Sequence, residues 1–367
     1  MPTDRSRCHL NIEKGDQDMV ILGIDAHKRT HTVVVIDERG RELATKTTKT
    51  TTTAAHLELL RWAEQFGPER EWAVEDCRHL SRRLEADLLS AGERIRRVPP
   101  KLMAKARDSA RTYGKSDPID ALAVARAALR EPDLPLAQLD GPARELRLLV
   151  DHREDLVKDR TGHINRLRWH LHELDPSWDP PARSMTSYKT LDAIAEQLKG
   201  DDRMVVRIAA DLVERIRALT VAERALEREI TERIVAMAPC LLAVIGVGPL
   251  IAAKIVAEVA DVRRFKHKDA FARHNGTAPL PAWSGNPNRH RLSRTGNRQL
   301  NAAIHRIAIT QLAHNPDARA FRDRRIASAD TGTEALRALK RRLSDVVFRA
   351  LLADAEPARP ARLAHAA

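Results

Sequence analysis

Four acidic residues stand where a fold can gather them. Asp25 closes an apolar run, "MVILGID", and Glu75 closes a second, "EWAVE", while Asp117 and Asp120 open the alanine-rich segment "SDPIDALAVARAAL". Oxygen donors drawn from separate segments suit Mg²⁺ or Mn²⁺, and two such ions about 4 Å apart can clamp the attacking and leaving oxygens of a phosphodiester displacement. The last pair also reads as a helix start. Asp117 fits the N-cap, Pro118 the first helical position, and Asp120 the first turn, near the positive end of the dipole. Residues three apart share a helix face, so the cap and metal readings are compatible. Carboxylates elsewhere must decide, and Asp25 and Glu75 are the candidates.

The elements around them predict a mixed sheet with helices packed on it. Residues 1–18 are polar and without periodicity, and are expected to form a disordered leader. From residue 19, "MVILGID", "HTVVVID" and "RELATKTTKT" follow at hairpin spacing with "ERG" as a turn, the pattern of an antiparallel meander. A helix over 53–66, the strand "EWAVE", the helix "HLSRRLEADLLSAG" and the short strand "ERIRRV" come next; Pro99 and Pro100 bar its extension as helix. In an open sheet, neighbouring strand ends and a following helix N-terminus converge on one point. The first domain is set at 19–138.

Over 139–238 the pattern changes. Leu146, Leu149, Leu156, Ile164, Leu167, Leu171 and Leu174 form one helical stripe, and Val205, Ile208, Leu212, Ile216, Leu219, Leu226, Ile230 and Ile234 form another. Two such helices predict an antiparallel coiled-coil arm, with the proline-rich stretch "DPSWDPPARSMTSYKT" as a loop at its tip. The arm reads equally as a dimerisation or strand-separating element and as a spacer. A last, mostly helical domain spans 239–353. There Gly246, Gly248 and Pro249 lie between two apolar helical runs, the pattern of a helix-hairpin-helix whose backbone N–H groups face a phosphate. An ordinary tight helix connection explains the same glycines. Residues 354–367 are expected to be a disordered tail.

Composition narrows the class. Lys and Arg number 63 against 51 Asp and Glu, giving +12 and a pI near 10.0, which points to a polyanionic partner, nucleic acid foremost. Aromatic residues are only 3%, so phosphate contacts rather than base stacking should dominate. Cys8, Cys77 and Cys240 lack metal or disulfide spacing, which leaves oxygen ligands for any metal. No apolar run spans a bilayer and no secretory leader is evident, so a cytoplasmic protein without membrane contact is expected.

Together "GIDAHK", "AVEDCRHLS", "RTYGKSDPIDALAVARAAL", the helix-hairpin-helix segment and "APLPAWSGNPNRHRLSRTGNRQLN" resemble, in this order, the IS110-type transposases and recombinases. The similarity covers about residues 19–353. It implies a RuvC-like, ribonuclease-H-like α/β domain with Asp25, Glu75, Asp117 and Asp120 as its acidic quartet, and a catalytic serine in a C-terminal transposase domain. That serine is matched by Ser284, directly before a glycine. Many relatives carry two serines there, and this chain has Trp283 in place of the first. Ser293 competes, though a phosphate contact or a cap for the helix starting near Asn297 suits it better. Arg289, Arg291, Arg294 and Arg298 are candidates to neutralise phosphate charge, with a solvated basic loop as the alternative. The resemblance further implies a bacterial insertion sequence, donor and target double-stranded DNA, a structured non-coding guide RNA, and a homo-oligomer between dimer and tetramer with an active site shared between protomers.

Rival readings remain. A RuvC-like endonuclease using water needs no Ser284, and a non-catalytic nucleic-acid scaffold needs only the charge. A tyrosine nucleophile has Tyr113 as its candidate, beside the acidic block. An actin-like ATPase or sugar kinase also opens on "GID", but "DAHKRTH" lacks the phosphate-cradling glycine.

Overall fold

The computed structural model describes residues 19–49, 52–75, 80–100, 102–103, 116–131, 134, 136–137, 141–281, 290–291 and 296–356. The expected leader over 1–18, Tyr113, and the expected tail beyond 356 lie outside the described residues. The chain divides into two compact units, 1–140 and 141–367.

The first unit is built on a five-stranded sheet. Its strands are β1 Val20–Ala26, β2 His31–Ile36, β3 Glu42–Thr48, β4 Arg70–Glu75 and β5 Ile95–Val98, in the order β3-β2-β1-β4-β5. The first three form the antiparallel meander that the hairpin spacing predicts, and β4 and β5 add in parallel. Because β1 and β2 are covered on both faces, their apolar runs are continuous rather than alternating.

Side chains of β1 alternate between two cores. Val20, Leu22 and Ile24 face α1 (Thr53–Ala63) and α2 (Arg82–Ser90), where they meet Leu59, Leu84 and Leu88. Ile21 belongs to the other face, with the alanines of α3 (Asp117–Arg130). Gly23, on that same face, lets α3 lie directly on β1. A Cβ at Gly23 would stand 2.2 Å from the Ala121 carbonyl oxygen and 2.5 Å from the Ala125 nitrogen. Small residues on both sides thus bring the first turn of α3 down to the end of β1.

The second unit begins with two long helices, α4 (Pro142–Leu174) and α6 (Met204–Met237). Ion pairs from Arg233 to Glu145 and from Arg153 and Arg160 to Glu223 match the start of one helix with the end of the other, so they run antiparallel. Ile164, Leu167 and Leu171 pack with Val206, Ala209, Leu212, Val213 and Ile216. Ile208, expected in this seam, is exposed; Val206 and Ala209 take the buried face, one step out of phase with the apolar stripe read from sequence. Buried Glu223 sits in the seam between its two arginines. Removing a partner would strand a charge away from water, which penalises slippage of one helix along the other.

The tip differs from the expected loop. A 3₁₀ turn over Ala182–Thr186 and α5 (Tyr188–Gln197) close it, burying Met185, Leu191 and Ile194 in the same core as the seam. Beyond α6 come α7 (Pro239–Leu242), α8 (Pro249–Val259), α9 (Lys268–His274), α10 (Arg298–His314), α11 (Pro316–Ala327) and α12 (Gly332–Ala355). Helices α8, α10 and α12 contribute most of one apolar core. Two short strands, β6 (Leu280–Pro281) and β7 (His290–Arg291), pair antiparallel. No helix among the described residues is long and apolar enough to cross a membrane.

Candidate functional site

Strand β1, central in the sheet, carries Asp25 near its C-terminal end, 6% exposed. Two residues on, the His27 N–H donates to the Thr30 carbonyl at 2.9 Å, closing the short turn into β2. His27 Nε2 then lies 3.1 Å from Asp25 Oδ2 and 3.3 Å from Asp117 Oδ1. These three side chains offer ligand atoms within 4.8 Å of one another. Asp120, in the first turn of α3, is buried. Burial raises the Asp25 carboxyl above its usual range; His27 opposes this, and the nearby negative charges of Asp120 and Asp117 add to it. Asp25, Asp117 and Asp120 therefore share one corner, at the point where β1 ends and α3 begins.

Glu75 ends the neighbouring strand. Parallel pairing matches Ile24 with Val74, so Glu75 stands one residue past that pair, abreast of Asp25, and pairs on its other side with Val98. It is not among the three residues whose ligand atoms come within 4.8 Å, and neither is Asp120. The helix start is also shifted by one residue from the expected cap. Ser116, extended at φ −153° and ψ 153°, is the N-cap, so Asp117 is the first helical residue and Pro118 the second. With the cap position taken upstream, the Asp117 carboxylate faces His27 instead. His27 itself is the residue that a search for carboxylates passes over. It lies just past the end of β1, exposed, and gains its meaning only from the Asp117 carboxylate that α3 sets 3.3 Å away.

The donor set of this corner fits a divalent cation. Two carboxylates and an imidazole nitrogen converge at distances that ligands of one ion can occupy, with a third carboxylate buried close by.

In the second unit, Ser284, Arg289, Ser293 and Arg294 lie outside the described residues. The residues framing them are placed. Leu280 pairs with Arg291 and Pro281 with His290. Arg337 of α12 donates to the His290 carbonyl at 3.3 Å. On the far side, the Asn297 N–H donates to the His274 carbonyl at 2.6 Å, and its side-chain amide donates to buried Glu258 at 2.6 Å. Asn297 Oδ1 accepts from the Leu300 N–H, so the cap of α10 is Asn297 and not Ser293. Arg298 follows it, exposed, as the first helical residue.

Gly296 packs against the backbone of Gly276, where an added Cβ would stand 2.3 Å from the Gly276 nitrogen. Gly296→Ala should therefore cost about 1–3 kcal/mol in urea unfolding of the second unit, by overpacking against backbone that has no rotamer to yield. Gly332→Ala, where a Cβ meets nothing within 4 Å, should stay within about 0.5 kcal/mol of the parent.

The glycines of the expected helix-hairpin-helix part company. Gly246, at φ +86°, lies against α10, where a Cβ would meet the Ile307 carbonyl at 3.2 Å, and the Ile245 carbonyl accepts from Gln311 at 2.7 Å. Helix packing accounts for that glycine. Gly248 is the N-cap of α8, with open space where a Cβ would point. The helix before this turn, α7, is a single turn, shorter than the apolar run predicts.

Comparison with known proteins agrees in both units. Residues 22–176 match the family model for the DEDD transposase of IS110, described as "Transposase", and residues 238–323 match "Transposase IS116/IS110/IS902 family". The uncharacterized 44.8 kDa protein of insertion element IS116 from Streptomyces clavuligerus is 29% identical, over 92% of this chain and 95% of that one. The uncharacterized 42 kDa protein of insertion element IS900 from Mycobacterium paratuberculosis is 28% identical, over 95% of this chain and 99% of that one. A solved structure described as T. thermophilus RuvC in complex with Holliday junction substrate covers 31% of this chain and 94% of its own at 17% identity. Its TM-score of 0.25 is too low to bear on fold or function.

Proposed function

We propose, since this chain belongs to the IS110 family of insertion-element transposases, that it cuts and rejoins DNA strands through a cation-assisted serine nucleophile. The observation that supports this best is the convergence of Asp25, His27 and Asp117 within 4.8 Å, with Asp120 buried in the same corner. Glu75, at the adjoining strand end, completes the acidic set. Asp25, Glu75, Asp117 and Asp120 hold the cations, Mg²⁺ or Mn²⁺. Bound there, a divalent cation supplies the positive charge that makes an alkoxide and a developing phosphorane affordable near neutral pH.

Ser284 supplies the oxygen. Its Oγ bonds to phosphorus as the backbone phosphorus–oxygen bond breaks; the hydroxyl proton departs and the released strand end takes one up. The phosphoserine link keeps a phosphodiester's bond energy, so the hydroxyl of another strand can reverse the step without ATP. Two such exchanges recombine two duplexes. Arg289, Arg291, Arg294 and Arg298 oppose phosphate charge around the serine, and the backbone N–H groups near Gly248 add a further phosphate contact. The net charge of +12 fits a polyanion, and a structured RNA that pairs with donor and target would relieve the protein of reading sequence. The protein works as a homo-oligomer on paired DNA segments.

Denaturing electrophoresis of reactions with labelled DNA tests the nucleophile. Wild type and Ser293→Ala should yield a covalent protein–DNA adduct, and Ser284→Ala should yield none. Cleavage without an adduct in wild type would identify a water-using endonuclease, and DNA binding with no cation-dependent cleavage would identify a scaffold.

A further inference from the structure

We infer that His27 is a nitrogen ligand that tunes this corner toward first-row transition ions and away from Mg²⁺. The inference rests on the cation-holding role proposed above and concerns a residue outside the acidic quartet.

The argument begins with what holds His27 in place. Its side chain is 48% exposed, so no apolar packing accounts for an imidazole here. The backbone nevertheless fixes it, because its N–H is bonded to Thr30 and the next residues but three, from His31, are locked into β2. A short closed turn between two buried strands is a rigid mount. From that mount one atom, Nε2, reaches 3.1 Å from an Asp25 oxygen on the strand and 3.3 Å from an Asp117 oxygen on the helix. An imidazole nitrogen carries at most one hydrogen. A single hydrogen cannot point squarely at two oxygens on different elements, whereas a cation placed among the three atoms is a partner for all of them.

The chemistry of such a set differs from that of an all-carboxylate site. Mg²⁺ is hard, demands near-ideal octahedral oxygen geometry and dehydrates reluctantly. First-row divalent ions accept imidazole nitrogen, increasingly so from Mn²⁺ along the series. One nitrogen among the carboxylates therefore leaves Mg²⁺ with an ill-matched ligand and gives Mn²⁺ a usable one. His27→Asp would restore an all-oxygen set at the same position. It should move selectivity toward Mg²⁺ without dismantling the site.

Mn²⁺ is the probe that reads this directly. In the full-length wild-type protein, pulsed electron paramagnetic resonance of bound Mn²⁺ should show coupling to a ¹⁴N nucleus, and His27→Asp and His27→Ala should abolish that coupling. In competition, the Mg²⁺ excess needed to displace half the Mn²⁺ should fall by about tenfold in His27→Asp, the scale on which altered partners change metal affinity. Bound Mn²⁺ without nitrogen coupling, displaced by the same Mg²⁺ concentration in wild type and His27→Asp, overturns the inference and leaves the cation-holding role standing. Failure of wild type to bind Mn²⁺ more tightly than an Asp25→Asn variant removes that role, and the inference with it.

Discussion

Alanine at position 23 is expected to reduce DNA cleavage by about a hundredfold or more, although it removes no proposed ligand. The atoms a Cβ would strike, the Ala121 carbonyl oxygen at 2.2 Å and the Ala125 nitrogen at 2.5 Å, belong to the backbone of α3. Backbone cannot rotate away, so the whole helix must withdraw from β1 by more than 1 Å to bring the 2.2 Å approach out to an ordinary 3.4 Å. Asp117 and Asp120 ride on its first turn, while Asp25 and His27 stay with the strand. The carboxylates then part along the direction in which they now converge, and misplacement on this scale costs about 10² in rate. Folding should survive, with a loss of about 1–3 kcal/mol from overpacking. Circular dichroism, Mn²⁺ affinity and cleavage measured on one preparation check the chain of cause. Wild-type cleavage in Gly23→Ala would show that the seating of α3 on β1 does not set the site.

That dependence on one glycine explains what could be read from sequence and what could not. The meander was legible because it is local: two apolar runs, a turn and a polar strand follow one another at hairpin spacing, and β1 to β3 pair as written. The end of β4 was legible too, since its apolar run closes on Glu75, and parallel pairing with β1 sets that residue abreast of Asp25. His27 was not. An exposed histidine after "DA" means little until α3 is known to return to the same strand end and place Asp117 at 3.3 Å. The cap shifted for a similar reason, because whether Ser116 or Asp117 leaves the extended state first depends on where the helix must land.

In the second unit the long helices announced themselves by periodicity, yet the buried phase at 206 and 209 depended on which face the partner helix covers. Helix α5 was hidden behind prolines that read as loop. The β6–β7 ladder is only two pairs long and contains Pro281, so no strand propensity marks it. Contacts made at long sequence separation, rather than weak local signals, account for most of these differences.

Asp25→Asn should stabilise the cation-free protein while abolishing its response to cations. Burial, with the charges of Asp120 and Asp117 adding to it, raises the Asp25 carboxyl above its ordinary value of 3.8, against the pull of His27. The native state thus holds that proton to higher pH than the unfolded chain does. Ionising Asp25 is then a cost to the fold that is absent below pH 3.8, grows as pH rises toward the native value, and is complete above it. Asparagine keeps the shape and removes the charge. At neutral pH without divalent ions the first unit of Asp25→Asn should melt above wild type, and the advantage should vanish in acid near pH 3.8.

Cations reverse the order. Mn²⁺ at about 100 times its Kd should stabilise wild type by about 2.7 kcal/mol and the variant far less, and cleavage by the variant should be lost. A structural carboxylate satisfied by hydrogen bonds would behave in the opposite way, with Asp25→Asn melting lower at neutral pH whether or not Mn²⁺ is present. The sign of one melting difference, taken in chelator and again in Mn²⁺, therefore separates an acid that holds the fold together from one the fold holds under strain for a cation.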